Sequence, residues 1–385
     1  MLGRTAGNRI RITAQLITAK DGTQLWSKRY DRDLTDVFEI QDEISNAIAM
    51  ELKVSLAGRP LVKPPTAHFA AYEAVLQGRH HFFRFDPEGQ AKAFAHFEKA
   101  VSIDPGYAAA HVGIALYHWG QMVVGMADPR EAMLRSVASA RQALRRDSAS
   151  SEAHHILGSY FAAHEFDWTE ADRYFRRALD LNESSLDAYH CYAMYCLAPL
   201  GRMEEALAAE DLVLAKDPLA LGMIVVRSLI LESMGRQEAE VQSVERLNQL
   251  DPNFAFGQLL LVRLRARQRR FDDAISLAEQ AAAGGRWGIT LGALGIAHAA
   301  AGHTTTANEV IAELESSPIC RESHAFYTAL ITAAQGDASA AFQWAARSLE
   351  RREHIMPLFL RSSSFDLLRA DGSFARLLRM INVEA

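Results

Sequence analysis

Five arginines crowd residues 263–270: Arg263, Arg265, Arg267, Arg269 and Arg270. Arg263 and Arg267 are four apart, so on a helix they share a face. Two guanidiniums on one face can grip a carboxylate or a phosphate bidentately. A solvated basic face is the plainer reading of the same residues. Histidines offer a second chemistry, in the doublets His80-His81 and His154-His155 and the singles His111, His118 and His190. Neither a His-Glu-x-x-His motif nor Cys/His ligand spacing accompanies them, so no metal ligands are assigned. A nucleophilic triad needs Ser or Cys beside His and an acid, but no Gly-x-Ser-x-Gly elbow occurs. Gly284-Gly285-Arg286 lacks a following Lys-Ser/Thr and reads as a turn rather than a phosphate cradle. Glu204-Glu205 and Asp272-Asp273 suit the positive ends of helices better than acid/base work. The expectation is a chain with no catalytic residues, no cofactor and no enzymatic activity.

Composition narrows the partners. The formal net charge of -6 argues against broad nucleic-acid binding, which needs a basic surface. Cys191, Cys196 and Cys320 form no Cys-x-x-Cys pair, and buried free thiols are expected. The first residues lack the apolar run of a secretory leader. Pro105–Ala127 and Trp287–Asn308 carry no formal charge, yet both hold His, Gly and polar residues, so neither is read as a membrane span. A cytoplasmic setting fits these features.

The elements that would position the arginines are helical repeats. Leu200-Gly201-Arg202 and Asp217-Pro218 return 34 residues on as Met234-Gly235-Arg236 and Asp251-Pro252. Self-similarity at this period marks tetratricopeptide-type helix pairs. Gly78, Ala93, Phe97 and Asp104-Pro105 give a first repeat; Gly158, Ala171, Phe175 and Ala178 give a third; Gly302 and Gly336 recur in the last two. Gly201 is expected to permit close helix packing, Pro218 to end a helix. In the sixth repeat Arg269 stands where the inter-helix Gly belongs. The fold class is therefore mainly α, a right-handed α-solenoid of about eight helix pairs over residues 68–352. The tail, 353–385, caps the last apolar face, with a helix over Phe365–Leu378.

Residues 8–31 read as a β-hairpin turning at Asp21-Gly22, followed by a helix near 36–57 with a stripe of Val37, Ile40, Ile44, Ala47, Ile48 and Leu52. Together they form a unit over 1–57, and 58–67 reads as a linker. In the repeat frame Arg79, Phe82, Tyr107, Tyr117, His155, Tyr195, Arg263 and Arg267 face the groove. Aromatics with arginine are typical interface anchors, although packing inside a repeat would use the same side chains. The partner expected there is a protein or peptide on the concave face. The incomplete sheet also offers an edge for a homo-oligomer.

Asn8–Ile17, Gly22–Trp26, Tyr30–Phe38 and Gln41–Ile44 resemble the second half of a TolB-like amino-terminal domain, and Phe365–Leu378 is similar to the ending of the same proteins. In that family the domain and its repeats follow a class III adenylate cyclase catalytic domain or a winged-helix DNA-binding domain. The upstream half of the TolB-like domain and any cyclase domain are missing from this chain, and no cyclase metal-binding carboxylate pair maps onto it. The resemblance implies a regulatory or interaction half, a scaffold in bacterial signalling. Its alternative is a regulatory fragment acting on a cyclase domain supplied separately.

Overall fold

The computed structural model describes residues 2–6, 9–18, 23–33, 40, 43, 44, 47 and 66–384, apart from 83–86, 124, 319, 321, 322 and 371. Three antiparallel strands open the chain in the order β1 (Leu2–Ala6), β2 (Arg9–Ile17) and β3 (Gln24–Asp33). β2 and β3 are the expected hairpin; β1 is a strand that the sequence reading missed. Ile12 pairs with Tyr30 and Ala14 with Lys28. The buried Ile12, Ala14 and Tyr30 pack with Ile40 and Ile44, both in helical turns. The Asp21-Gly22 turn, most of the 36–57 helix and nearly all of the 58–67 linker lie outside the described residues.

Sixteen of the described helices then follow as eight antiparallel pairs. They are α1 (Phe69–Phe82) with α2 (Pro87–Ile103), α3 (Ala108–Val123) with α4 (Pro129–Arg146), α5 (Ser151–Tyr160) with α6 (Trp168–Leu181), and α7 (Leu186–Tyr192) with α8 (Met203–Lys216). After them come α9 (Leu221–Ser233) with α10 (Gln237–Leu250), α11 (Ala255–Arg267) with α12 (Phe271–Gly284), α13 (Gly288–Ala300) with α14 (Thr304–Ser316), and α15 (His324–Ala334) with α16 (Ala338–Glu350). Single π-helical turns, Phe161–Glu165 and Ala193–Leu197, extend α5 and α7. The first helix of a pair also packs on the first helix of the next, most closely along α11, α13 and α15, and this row forms an inner wall. Among the described residues no helix is long and apolar enough to cross a membrane.

Small residues and turns set this geometry. A Cβ on Gly78 or Gly113 would fall 2.5 Å or 2.2 Å from the ring of Phe97, which is wedged between two successive first helices. Between pairs, the carboxylate of Asp104, Asp147, Asp217 or Asp251 accepts the backbone N–H two residues on, at 2.9–3.2 Å. This local bond turns the chain after the second helix of the first, second, fourth and fifth pairs. Gly201 has a different part from the one its sequence suggests. Its φ of +81° ends α7 in the left-handed region, and the nearest atoms to an added Cβ, those of Arg361, lie 3.5 Å away. The turn, not close packing, demands glycine there.

Arg269 takes the same conformation, with φ of +58°, and so carries the steric cost that glycine avoids in neighbouring repeats. Arg269→Gly should raise the unfolding free energy by roughly 0.5–1 kcal/mol, the αL penalty less the extra chain entropy of glycine. Urea denaturation checks this; an unchanged or lowered stability would contradict it.

Candidate functional site

The chain does not stop at the last helix pair. Arg352, with φ of +61°, turns it inward. A tail of short helices follows, α17 (Met356–Phe359), a 3-10 turn (Ser363–Phe365), α18 (Asp366–Ala370) and α19 (Phe374–Met380). The single helix expected over Phe365–Leu378 is thus two, broken near Gly372, whose φ is +79°. They pack on α16, as a cap would. The tail also lies along the inner wall, which the sequence reading did not foresee.

Three anchors hold it. At its start, Glu353 is buried, and its Oε2 accepts the Phe326 N–H at the beginning of α15 (2.6 Å) and the Ser348 hydroxyl (2.7 Å). In the middle, Glu232 of α9 accepts the Ser363 N–H (3.1 Å) and its hydroxyl, and Arg361 donates twice to the Pro199 carbonyl (3.1 and 2.9 Å). At the end, the Trp168 indole donates to the Ile381 carbonyl (2.7 Å) and Asn382 to the Phe166 carbonyl (3.2 Å). Arg130 of α4 reaches the Glu350 carbonyl (2.5 Å), joining the second pair to the last. Met356, Phe359, Leu360, Phe365, Leu368, Leu377 and Ile381 are all buried. At about 1.5–3 kcal/mol each, an upper estimate, their burial is worth on the order of 10–20 kcal/mol. The tail is thus packed as part of the core.

This decides the fate of the two groove arginines. Arg263 and Arg267 do come together on the inner wall, but neither is a free cation. Arg263 donates to Glu232 (2.9 Å) and to the Ser364 hydroxyl (2.8 Å), and its guanidinium lies 5.0 Å from the centre of the Phe359 ring. Its side chain is 4% exposed, as is that of Glu232. Arg267 pairs with Glu232 (2.8 Å) and with Glu240. Burial alone would push the Glu232 carboxyl upward, but Arg263, Arg267 and Ser363 outweigh it and hold the group below the usual carboxylate range. Burial pulls the Arg263 guanidinium down, opposed by Glu232. Tyr195 faces the tail as well: it is buried, with its ring 6.1 Å from that of His354, and burial drives its phenol well up.

A second group gathers on the first three pairs. Arg79 of α1 pairs with Glu152 of α5 at 2.6 Å. Burial works against the charged Arg79, and Glu152 more than restores it. Tyr107 and His155 are buried close enough to feel Arg79 electrostatically. Burial raises the Tyr107 phenol to about 12 and lowers His155. Phe82 and Tyr117 stand apart from this group. Phe82 is buried, its ring filling the space that a Cβ on Gly120 would need, and Tyr117 stacks on Phe94 at 4.4 Å. The residues that the sequence reading passed over are Glu152, Glu232, Ser363 and Ser364. For Glu232 there was a signal, an acid closing the otherwise apolar run Ser228-Leu229-Ile230-Leu231.

Three of the histidines singled out by sequence accept or donate a hydrogen bond within the protein. His111 bonds the Pro105 carbonyl (3.0 Å), His154 the Ser148 carbonyl (3.1 Å) and His190 the Glu210 carboxylate (2.9 Å). All three cysteines are buried and free, and burial raises each thiol.

Burial lifts the Glu353 carboxyl to about 7, with the Ser348 hydroxyl, the Phe326 N–H and Arg351 opposing. The folded chain therefore binds a proton that the unfolded chain releases above its ordinary carboxyl pKa of about 4.3. That stabilisation is complete at low pH and is lost as pH rises through about 7, some 3 kcal/mol in all. Glu353→Gln should flatten this decline, so that the variant is the more stable protein at pH 8. Urea unfolding at pH 5, 6, 7 and 8 checks it, and parallel curves for the two proteins would contradict it.

No family model matches the chain. A curated relative, "Putative adenylate cyclase 3" of Rhizobium meliloti (strain 1021), is 30% identical over 164 residues, 40% of this chain. The matched part spans only 27% of that relative's length. Among solved structures, the human IFIT1 dimer with m7Gppp-AAAA superposes with a TM-score of 0.54 at 16% identity, covering 91% of this chain and 77% of that one. A monomeric IFIT1 mutant with Gppp-AAAA gives 0.55 at 14% identity, covering 90% and 77%. At these identities the likeness to IFIT1 establishes a shared helical-repeat fold and no more.

Proposed function

We propose that the chain is a non-catalytic tetratricopeptide-type scaffold that binds a protein or peptide. One observation carries the reading: the inner wall already holds polypeptide. Glu232 accepts from a main-chain N–H and a hydroxyl of the tail, and Arg263 donates to a second hydroxyl. This is peptide recognition in cis, by groups spaced along a row of helices. A partner in trans would use the wall of the first pairs. There Arg79 keeps about a third of its side chain exposed, at 34%, whereas Tyr117 stacks on Phe94 of a second helix and lies off that wall. Arg263 and Arg267 belong to the tail's seat and contribute only to stability in this reading. The setting would be signalling, with the chain in the cytoplasm.

The matched segment of the adenylate cyclase relative supports a second reading, a regulatory piece acting on a separate cyclase domain. The two make different demands. A scaffold forms no cyclic AMP and leaves a supplied class III cyclase domain unchanged, whereas a regulatory piece shifts that domain's rate.

The test uses partners captured from the native host by the full chain and identified by mass spectrometry. Arg79→Gln, which removes the charge without setting a second carboxylate beside Glu152, should reduce their capture at least tenfold, with circular dichroism still showing the folded helical chain. Undiminished capture by this folded variant would remove the first pairs from the binding surface.

A further inference from the structure

Wall and tail leave a cleft of about 220 Å³ between them. One side is alkyl, from Ile296 and Ala300 of α13 and Leu330 and Ala333 of α15. The other carries Arg263, Arg267, Ser363 and Ser364. Hydrogen-bond donors outnumber acceptors on that second side. A single oxygen, Glu232 Oε1, meets Arg263, Arg267, the Ser363 N–H and the Ser363 hydroxyl. Each guanidinium brings about five N–H groups and accepts nothing. Arg263 Nη1 is sealed from solvent and finds no acceptor among the described residues. A buried donor left unsatisfied is costly; Glu232 and Glu240 already pair with the two guanidiniums, and the N–H groups these carboxylates leave over, opposite the alkyl side, are complementary to an acceptor on a short hydrocarbon.

We infer that this cleft binds a short-chain carboxylate, with its head group on the Arg263, Arg267 and Ser364 side and its chain along Ile296 and Leu330. Charge-assisted bonds favour a carboxylate over a neutral carbonyl, and a planar guanidinium matches its two oxygens. The volume has room for about seven water-sized groups, which fits an acid of roughly four to six carbons. The acid would bridge the sixth to eighth pairs and the tail. This site is separate from the Arg79 surface, so either can fail without the other.

Isothermal titration of the full chain with hexanoate tests the assignment. One saturable site is expected, with hexanamide at least tenfold weaker. Arg267→Gln should weaken hexanoate at least tenfold. Ala300→Phe, a partly exposed position whose new ring fills the cleft, should abolish binding while the melting temperature holds, and it decides the matter if Arg267→Gln does not fold. Absence of binding for every acid from butanoate to octanoate would overturn the assignment. So would equal affinity for acid and amide, or hexanoate binding that survives Ala300→Phe.

Discussion

A carboxylate facing inward from the fifth helix pair has to be neutralised where water does not reach. Glu232 meets that demand with Arg263 and Arg267 from the next pair and with Ser363 from the tail. Removing one partner from such a buried cluster strands the others, at about 3–5 kcal/mol. The cluster therefore does more than join adjacent repeats. It fixes the register of a segment 131 residues further along the chain. The hydrogen bonds of Glu353 and Trp168 do the same at the tail's two ends.

The consequence is a change in the kind of object the solenoid is. An open array of repeats is quasi-one-dimensional, each unit touching only its neighbours, and it can fray or open piecemeal. Here the last segment runs back along the inner wall and bonds the third, fourth, fifth and sixth pairs. The apolar side chains that an open groove would show to a partner are spent on this internal core. Among the described residues, the parts of the inner wall that the tail leaves uncovered are those of the first pairs and the polar seam beside the tail.

Much of this was legible in the sequence. The 34-residue return of Gly201 and Gly235, the Asp-Pro endings and the small residues opposite Phe97 and Phe175 are local consequences of helix packing, so they survive in a single chain. The same frame put Tyr195, Arg263 and Arg267 on the inward side, and in the structure all three lie against the tail. What it did not contain was the occupant of that side. Periodicity reports which face of a helix is buried and is silent about what buries it. The tail's pattern, Phe365-Asp366-Leu367-Leu368 with a second apolar cluster after Gly372, suits a terminal cap as well as an internal filler. Glu232 needed two partners from elsewhere in the chain before its place in an apolar run made sense. At the other end, Leu2–Ala6 is short and carries Gly and Arg, a weak strand signal that only pairing with β2 reveals.

Hydrogen exchange resolved by residue, followed as urea is raised below the unfolding transition, tests the central claim most directly. If the tail is core, the hydrogen-bonded amides of Leu360 and Ile381 open with the same free energy and the same urea dependence as those buried in α5 and α9. Tail amides that instead exchange through an opening of their own, several kcal/mol cheaper and insensitive to urea, would show a detachable strap over an open groove and contradict the account.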